Sequence, residues 1–202
     1  MGLDRYIARQ LGNPQGIGGK IASQIMNRQN QALYVETLKA LSPRGRDTVL
    51  DIGCGNAYVL KMLAQQSDCT LVGIDPSESI LETAFRNCKE FVEEGRMALI
   101  CQDVSSMSFA DDTFERAYSI NTVYFWKSLD VAMDEIRRIL KPGGLFVNTL
   151  YSNETLDRLS HTKFGYKRFS LAQLKDAGTD SGFAVNVRRI LDGAAYCISY
   201  QK

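Results

Sequence analysis

No apolar run in this chain approaches the ~20 residues that a transmembrane helix needs, so no membrane span is expected. The opening Met1-Gly2-Leu3-Asp4-Arg5 lacks the basic start and apolar core of a secretory signal, and a cytoplasmic protein is expected. Charge of one sign is missing as well. The 24 Lys and Arg against 23 Asp and Glu leave a formal net charge of +1. That total shows no basic face of the kind nucleic-acid binding needs, although a local patch can hide in a neutral sum. The cysteines Cys54, Cys69, Cys88, Cys101 and Cys197 are scattered, odd in number and without a C-x-x-C pair. They read as free, mostly buried thiols and not as a metal site. Internal repeats and low-complexity tracts are absent.

A chain of 202 residues with 45% hydrophobic and 23% charged residues is an ordinary globular domain, long enough to bury a core. Residues 3–11 can form a short helix. Gly12-Asn13-Pro14-Gln15-Gly16-Ile17-Gly18-Gly19 reads as loop or hinge. One or two amphipathic helices follow to Leu41, closed by Ser42-Pro43-Arg44-Gly45. From there the texture alternates. Strands are expected at Val49–Ile52, Leu71–Ile74, Met97–Cys101, Ala117–Ile120 and Leu145–Leu150. Helices are expected at Tyr58–Ala64, at Ser77–Glu90, and over the stripe Leu129, Met133, Ile136, Leu140, ending at Lys141-Pro142-Gly143-Gly144. Apolar strands alternating with helices predict an α/β fold, a mostly parallel sheet with helices on both faces. The last two runs differ. Phe183, Val185 and Val187, then Tyr196, Ile198 and Tyr200, alternate around Asp192-Gly193, which predicts an antiparallel C-terminal hairpin at one sheet edge. The division expected is residues 1–44 as an N-terminal helical lid and 45–202 as the core.

Asp51-Ile52-Gly53-Cys54-Gly55-Asn56-Ala57 lies where the first strand hands over to a helix. Open α/β sheets bind ligands beyond the carboxyl ends of their strands. Gly53 and Gly55 let a ligand lie against the backbone. A plain tight turn needs glycines too, but further strand ends carry polar groups: Asp75 after the second, Asp103 after the third, Asn121 after the fourth. An acidic residue about twenty positions after the turn is placed to accept from ribose hydroxyls.

With Val49–Asn56, Gly73-Ile74-Asp75-Pro76-Ser77, Cys101-Gln102-Asp103-Val104 and the stretch from Phe114 to Phe146 in view, the sequence resembles a class I S-adenosylmethionine-dependent methyltransferase. The resemblance is to the broad methyltransferase-11 type, near the ubiquinone/menaquinone C-methyltransferase-like group, and covers residues 45–150. It implies a Rossmann-like seven-stranded sheet with a reversed seventh strand, and S-adenosyl-L-methionine as cofactor. It implies that Gly53 and Gly55 face the methionine and ribose, Asp75 the ribose hydroxyls, and Asp103 with Val104 the adenine. Asp51, Asn56, Pro76 and Asn121 complete the expected cofactor set. The third glycine usual in this turn is Ala57, which tolerates positive φ poorly, so a slightly re-angled turn is expected.

The rivals fit less well. A nicotinamide fingerprint needs glycine at position 58, which is Tyr58, and a phosphate loop ending at Gly19-Lys20 needs glycine at position 14, which is Pro14. The alternatives left open are a non-catalytic S-adenosylmethionine-binding protein and a methyltransferase acting on a macromolecule. The Asn-Pro-Pro and Pro-Cys signatures of nucleic-acid methyltransferases are absent, which favours a small-molecule methyl acceptor. Asn121–Trp126 is the candidate acceptor wall, with Tyr124 and Trp126 as substrate contacts, although hydrophobic loop packing explains the same aromatics. Asn27, Asn30 and Tyr34 share a helix face. Asn27 and Tyr34 are taken as further substrate contacts, and residues 12–30 as a lid. Tyr124 and the sole histidine, His161, are the candidate catalytic groups, although an exposed loop residue is the plainer reading of His161.

Overall fold

The structure, a computed structural model, describes residues 16–163 and 165–202, with side chains from residue 27 onward apart from that of residue 161. Helix α1 (Gly16–Leu41) is followed by β1 (Thr48–Ile52), α2 (Tyr58–Gln66), β2 (Thr70–Asp75), α3 (Glu78–Glu93), β3 (Met97–Cys101) and β4 (Phe114–Ile120). Then come α4 (Leu129–Ile139), β5 (Leu140–Tyr151), α5 (Asn153–Arg158), α6 (Leu171–Asp180), β6 (Ala184–Ile190) and β7 (Ala195–Gln201). Short 3-10 turns sit at Val123–Phe125, Ser160–Lys163 and Leu191–Gly193.

The seven strands form one sheet in the order β3-β2-β1-β4-β5-β7-β6. The first five are parallel, and β7 runs antiparallel between β5 and β6. The strand order reverses between β1 and β4, which opens a crevice at their carboxyl ends. Neighbouring residues point to opposite faces, as the period of two requires. Leu50, Val72, Ala117 and Phe146 pack on one side with Met133 and Ile136 of α4 and Leu174 of α6. Val49, Leu71, Tyr118 and Val147 pack on the other with Leu60 and Leu63 of α2 and Ala84 and Cys88 of α3. This two-sided burial is why these strands read as nearly unbroken apolar runs. Asn148 of β5 is a buried polar residue among them, 0% exposed with neither side-chain polar atom partnered.

Two expectations are corrected. The glycine stretch is not wholly a loop: Gly16, Ile17, Gly18 and Gly19 are the first turn of α1, while residues 3–11 and 12–15 lie outside the described residues. Each helical glycine costs about 1 kcal/mol relative to alanine. The far end of α1 supplies the nucleus onto which that turn propagates. Leu33 and Leu41 are buried there, and Thr37 donates to the Leu33 carbonyl (2.7 Å) and meets the Thr149 hydroxyl of β5 (2.7 Å). Strand β5 begins at Leu140, not at Leu145. Leu140 pairs with Phe114, then the register shifts so that Leu145 pairs with Arg116. The Lys141-Pro142-Gly143-Gly144 stretch is therefore an irregularity within the strand as well as the stop of α4. Between β3 and β4 the chain crosses as a loop that buries Val104 and Met107. The five cysteines are free, and all but Cys101 are buried. No helix among the described residues is long and apolar enough to cross a membrane.

Candidate functional site

A cavity of about 590 Å³ opens at the carboxyl ends of β1, β2, β3 and β4, under the middle of α1. The turn after β1 forms its floor. Gly53 and Cys54 both donate to the Ile74 carbonyl of β2 (2.8 and 3.0 Å), and Gly55 donates to Asp75 Oδ2 (3.2 Å). Three successive amides thus sew the turn to the end of the neighbouring strand. Gly53, at φ +78°, is also held by space: a Cβ there would fall 2.5 Å from Thr122 Cγ2. Gly55, at φ +53°, would meet nothing within 4 Å, so its backbone lies open. Ala57 adopts the left-handed conformation in spite of its methyl group (φ 58°, ψ 27°), and it is fully buried. The turn is therefore not re-angled to relieve the alanine. The residue itself accepts strain of about 1–2 kcal/mol.

The polar strand ends meet at this floor. Asp51 is 4% exposed and Asp75 8% exposed. Burial pushes the Asp51 carboxyl up to about 7; the Tyr118 phenol opposes the shift and the charge of Asp75 adds to it. Burial also raises Asp75, against the hydrogen bonds it accepts from the Ser77 and Gly55 amides. Asp103 goes the other way. Against the cost of its partial burial, hydrogen bonds from Ser105 and the Lys127 ammonium at 3.0 Å hold it below the usual carboxylate range. Its carboxylate is thus already engaged at the outer edge of the cavity. Asn56 accepts from the Tyr58 amide (3.2 Å), and exposed Pro76 and buried Val104 line the adjoining wall.

Asn121 ties the halves of the site together. It sits at φ 58°, a left-handed position that asparagine tolerates better than most residues. Its Nδ2 donates to Asn30 Oδ1 of α1 (3.2 Å), and its Oδ1 accepts from the Tyr124 hydroxyl and the Tyr151 amide (3.2 Å each). The Tyr151 hydroxyl returns to Asn30 Oδ1 (3.1 Å). Asn27, Asn30 and Tyr34 all line the cavity, and the Tyr34 hydroxyl donates to Asn27 Oδ1 (3.2 Å). Burial pushes the Tyr34 phenol up to about 12.

Beyond the knot the walls turn aromatic. Tyr124, Phe125 and Trp126 face the cavity from the 3-10 turn, joined by Tyr166, whose ring centroid lies 4.7 Å from that of Phe125. Trp126 is mostly core: it is 6% exposed and packs on Phe146. Tyr124 is 2% exposed; its single hydroxyl hydrogen is shared between the Tyr151 carbonyl (3.1 Å) and Asn121, and burial raises its pKa strongly. Every expected site residue whose side chain is described lines this one cavity. His161 lies in the Ser160–Lys163 turn, and its side chain is outside the described residues. Gln29, Tyr151, Leu156, Leu159 and Thr162, none of them singled out from sequence, also line it. Gln29 belongs to α1 and Tyr151 ends β5, whereas the other three lie in the segment that follows.

The residues present fit a cationic nucleoside ligand. A floor of open backbone at Gly55 and two buried carboxylates call for hydroxyl donors and positive charge, and S-adenosylmethionine carries both. Comparison with known proteins agrees. Residues 50–148 match the methyltransferase domain family. The uncharacterised methyltransferase YdaC of Bacillus subtilis is 28% identical over 90% of this chain and 98% of its own length. The sterol 24-C-methyltransferase of Saccharomyces cerevisiae is 29% identical over 64% of this chain, which spans about a third (32%) of that enzyme. In structure, geranyl diphosphate C-methyltransferase of Streptomyces coelicolor superposes with a TM-score of 0.72 at 15% identity, covering 95% of this chain and 86% of that one, and so shares the fold. With the glycine turn, the acidic strand ends and the reversed seventh strand, the chain belongs to the class I S-adenosylmethionine-dependent methyltransferases.

Proposed function

We propose that this chain transfers a methyl group to a small-molecule acceptor held between the cofactor turn and the aromatic wall. The observation that carries this reading is the continuity of the cavity: the floor at Gly53–Asn56 and the walls at Tyr124 and Tyr166 line one space. When bound, S-adenosylmethionine supplies a methyl group activated by its positive sulfur; the acceptor's electron pair forms the new bond, the carbon–sulfur pair stays with sulfur, and the positive charge passes to the acceptor.

The chain's part is to bind, orient and exclude water, which can supply a large share of the barrier reduction. Gly53 and Gly55 present backbone to the methionine and ribose, and Asp75 retains lone pairs for ribose hydroxyls. Asp51 and Asn56 stand on the methionine side, with Pro76, Val104 and the outer Asp103 around the adenine. Asn121 acts as a positioning residue, since its amide is consumed by Asn30, Tyr124 and Tyr151. Tyr124 serves as wall and not as base: its phenol donates its hydrogen and is held protonated by burial. Residues 27–34 of α1 close the roof. Four buried free thiols fit a reducing compartment such as the cytoplasm. Incubation with methyl-labelled cofactor and a metabolite extract tests the reading. Label is expected in small molecules; label only in RNA or protein refutes it.

A further inference from the structure

The two halves of the cavity differ in charge. The floor carries three carboxylates, Asp51, Asp75 and Asp103, and among the described lining residues there is no Lys, Arg or His in either half. The far half is built from the rings of Tyr124, Phe125 and Tyr166 with Leu156 and Leu159, and its polar groups, Gln29, Asn30 and Thr162 among them, are neutral. The cations nearby are held elsewhere. Lys127 Nζ pairs with Asp103 (3.0 Å), Lys167 Nζ donates to the Trp126 and Lys127 carbonyls (2.7 and 2.8 Å), and Arg168 pairs with Asp157 (3.2 Å) and donates to the Thr162 carbonyl (3.1 Å). No group of His, Cys, Asp and Glu suited to a metal ion occurs among the described residues.

We infer that the acceptor is an uncharged molecule with a largely apolar body, and not a phosphate, diphosphate or carboxylate; this rests on the methyltransferase reading above. An anion in the far half would lose its water without gaining a counter-charge from any described side chain of the lining. The ionised carboxylates of the floor would add repulsion, Asp103 least because Lys127 already neutralises it. The Streptomyces coelicolor enzyme, by contrast, was solved in complex with Mg²⁺, geranyl diphosphate and S-adenosyl-L-homocysteine. An uncharged acceptor meets the opposite situation. It enters without a desolvation penalty for charge, and the positive charge it takes up on transfer arrives among ring faces, which attract cations.

The test is calorimetric titration of the protein loaded with S-adenosylhomocysteine, using matched probes: geraniol against geranyl monophosphate, and 2-naphthol against 2-naphthyl phosphate. At least one uncharged member is expected to bind tenfold or more tightly than its phosphate. Phosphates that bind as well as or better than both partners overturn the inference, and so does a failure of all four probes to bind. If S-adenosylhomocysteine itself fails to bind, the methyltransferase reading falls first. Phe125→Arg places the missing cation at a ring that is 47% exposed, where an added charge can be tolerated. Leu159→Arg does so from the other wall. Binding of S-adenosylhomocysteine reports that each variant is folded. At least one of the two should narrow the uncharged-over-phosphate ratio by about tenfold, the order of one charge-assisted hydrogen bond. A ratio unchanged in both folded variants refutes the assignment of these walls to the acceptor.

Discussion

Replacing Asp51 by asparagine separates what the buried carboxylate does to the fold from what it does for the ligand. Its pKa rises from 3.8 to about 7, chiefly through burial. At 1.36 kcal/mol per unit, ionising it costs the folded protein about 4 kcal/mol at most, relative to a solvated carboxyl. The sign follows from linkage. The folded state holds this proton more tightly than the unfolded chain, so the contribution is complete below about pH 4 and is lost as pH rises through about 7. Asp51→Asn has no such dependence. In thermal melts without ligand, the variant should therefore gain on the wild type steadily from about pH 4 to pH 7 and hold its advantage above that. At roughly 2–4 °C per kcal/mol for a domain of this size, the gain is up to about 8–16 °C. Ligand reverses the preference. S-adenosylmethionine, a cation, favours the ionised carboxylate, so wild-type binding near pH 7 should release up to about half a proton, and more at lower pH. Calorimetry in two buffers of different ionisation heat measures that release; the variant should lack it and bind about tenfold or more weakly. A melting difference that stays constant from pH 4 to pH 8.5 would refute the reasoning, because it would mean that Asp51 titrates as a solvated carboxyl.

Asp75→Ala should weaken the cofactor by roughly tenfold to hundredfold, since charged hydrogen bonds are worth about 1.5–3 kcal/mol each; wild-type affinity in equilibrium dialysis would remove Asp75 from the ribose site. Asn148→Val should stabilise the protein by about 1–3 kcal/mol in urea denaturation, because it removes a fully buried amide without partners; a loss of stability would mean that the amide is satisfied. Ala57→Gly should change stability by less than about 1 kcal/mol. Relief of the left-handed strain, about 1–2 kcal/mol, is offset by the extra freedom of glycine in the unfolded chain and by loss of a buried methyl, about 0.5–1 and 0.8 kcal/mol. A larger shift in either direction shows that the turn itself moves. In hydrogen exchange, amides 27–34 should gain protection on binding S-adenosylhomocysteine; unchanged rates there, with protection confined to the strand ends, would reduce α1 to a packing element.

The sheet was legible in the sequence because two-sided burial leaves runs such as Leu71-Val72-Gly73-Ile74 with few other readings. The floor of the cavity was legible because strand ends fall at regular intervals, so Asp51, Asp75, Asp103 and Asn121 could be aligned without coordinates. The start of α1 was misread. Glycine content reports local propensity, whereas a helix anchored by Leu33, Thr37 and Leu41 can extend through unfavourable residues. The early start of β5 was hidden for the opposite reason, since Pro142-Gly143-Gly144 is a true stop for α4 and a stop masks a strand that resumes at once. Leu156, Leu159 and Tyr166 could not be singled out individually, because nothing in their spacing fixes how the segment after β5 folds back over the cavity. The Asn121 knot was half visible. Its position at a strand end pointed to the site, but its amide serves Asn30, Tyr124 and Tyr151, contacts that only the fold brings together.

The reversal of strand order between β1 and β4 also divides labour along the chain. Nearly everything proposed to hold the cofactor is encoded between Asp51 and Val104, in one uninterrupted stretch. The acceptor walls come from later segments and from α1. Acceptor choice can therefore drift through substitutions at positions such as Phe125, Leu159 and Tyr166 while the cofactor stretch stays untouched, and a chimera joined within the loop between β3 and β4 should exchange one chemistry's selectivity for another's. The joint that such a graft has to respect is Asn121, whose three partners lie on α1, on the turn after β4 and at the end of β5.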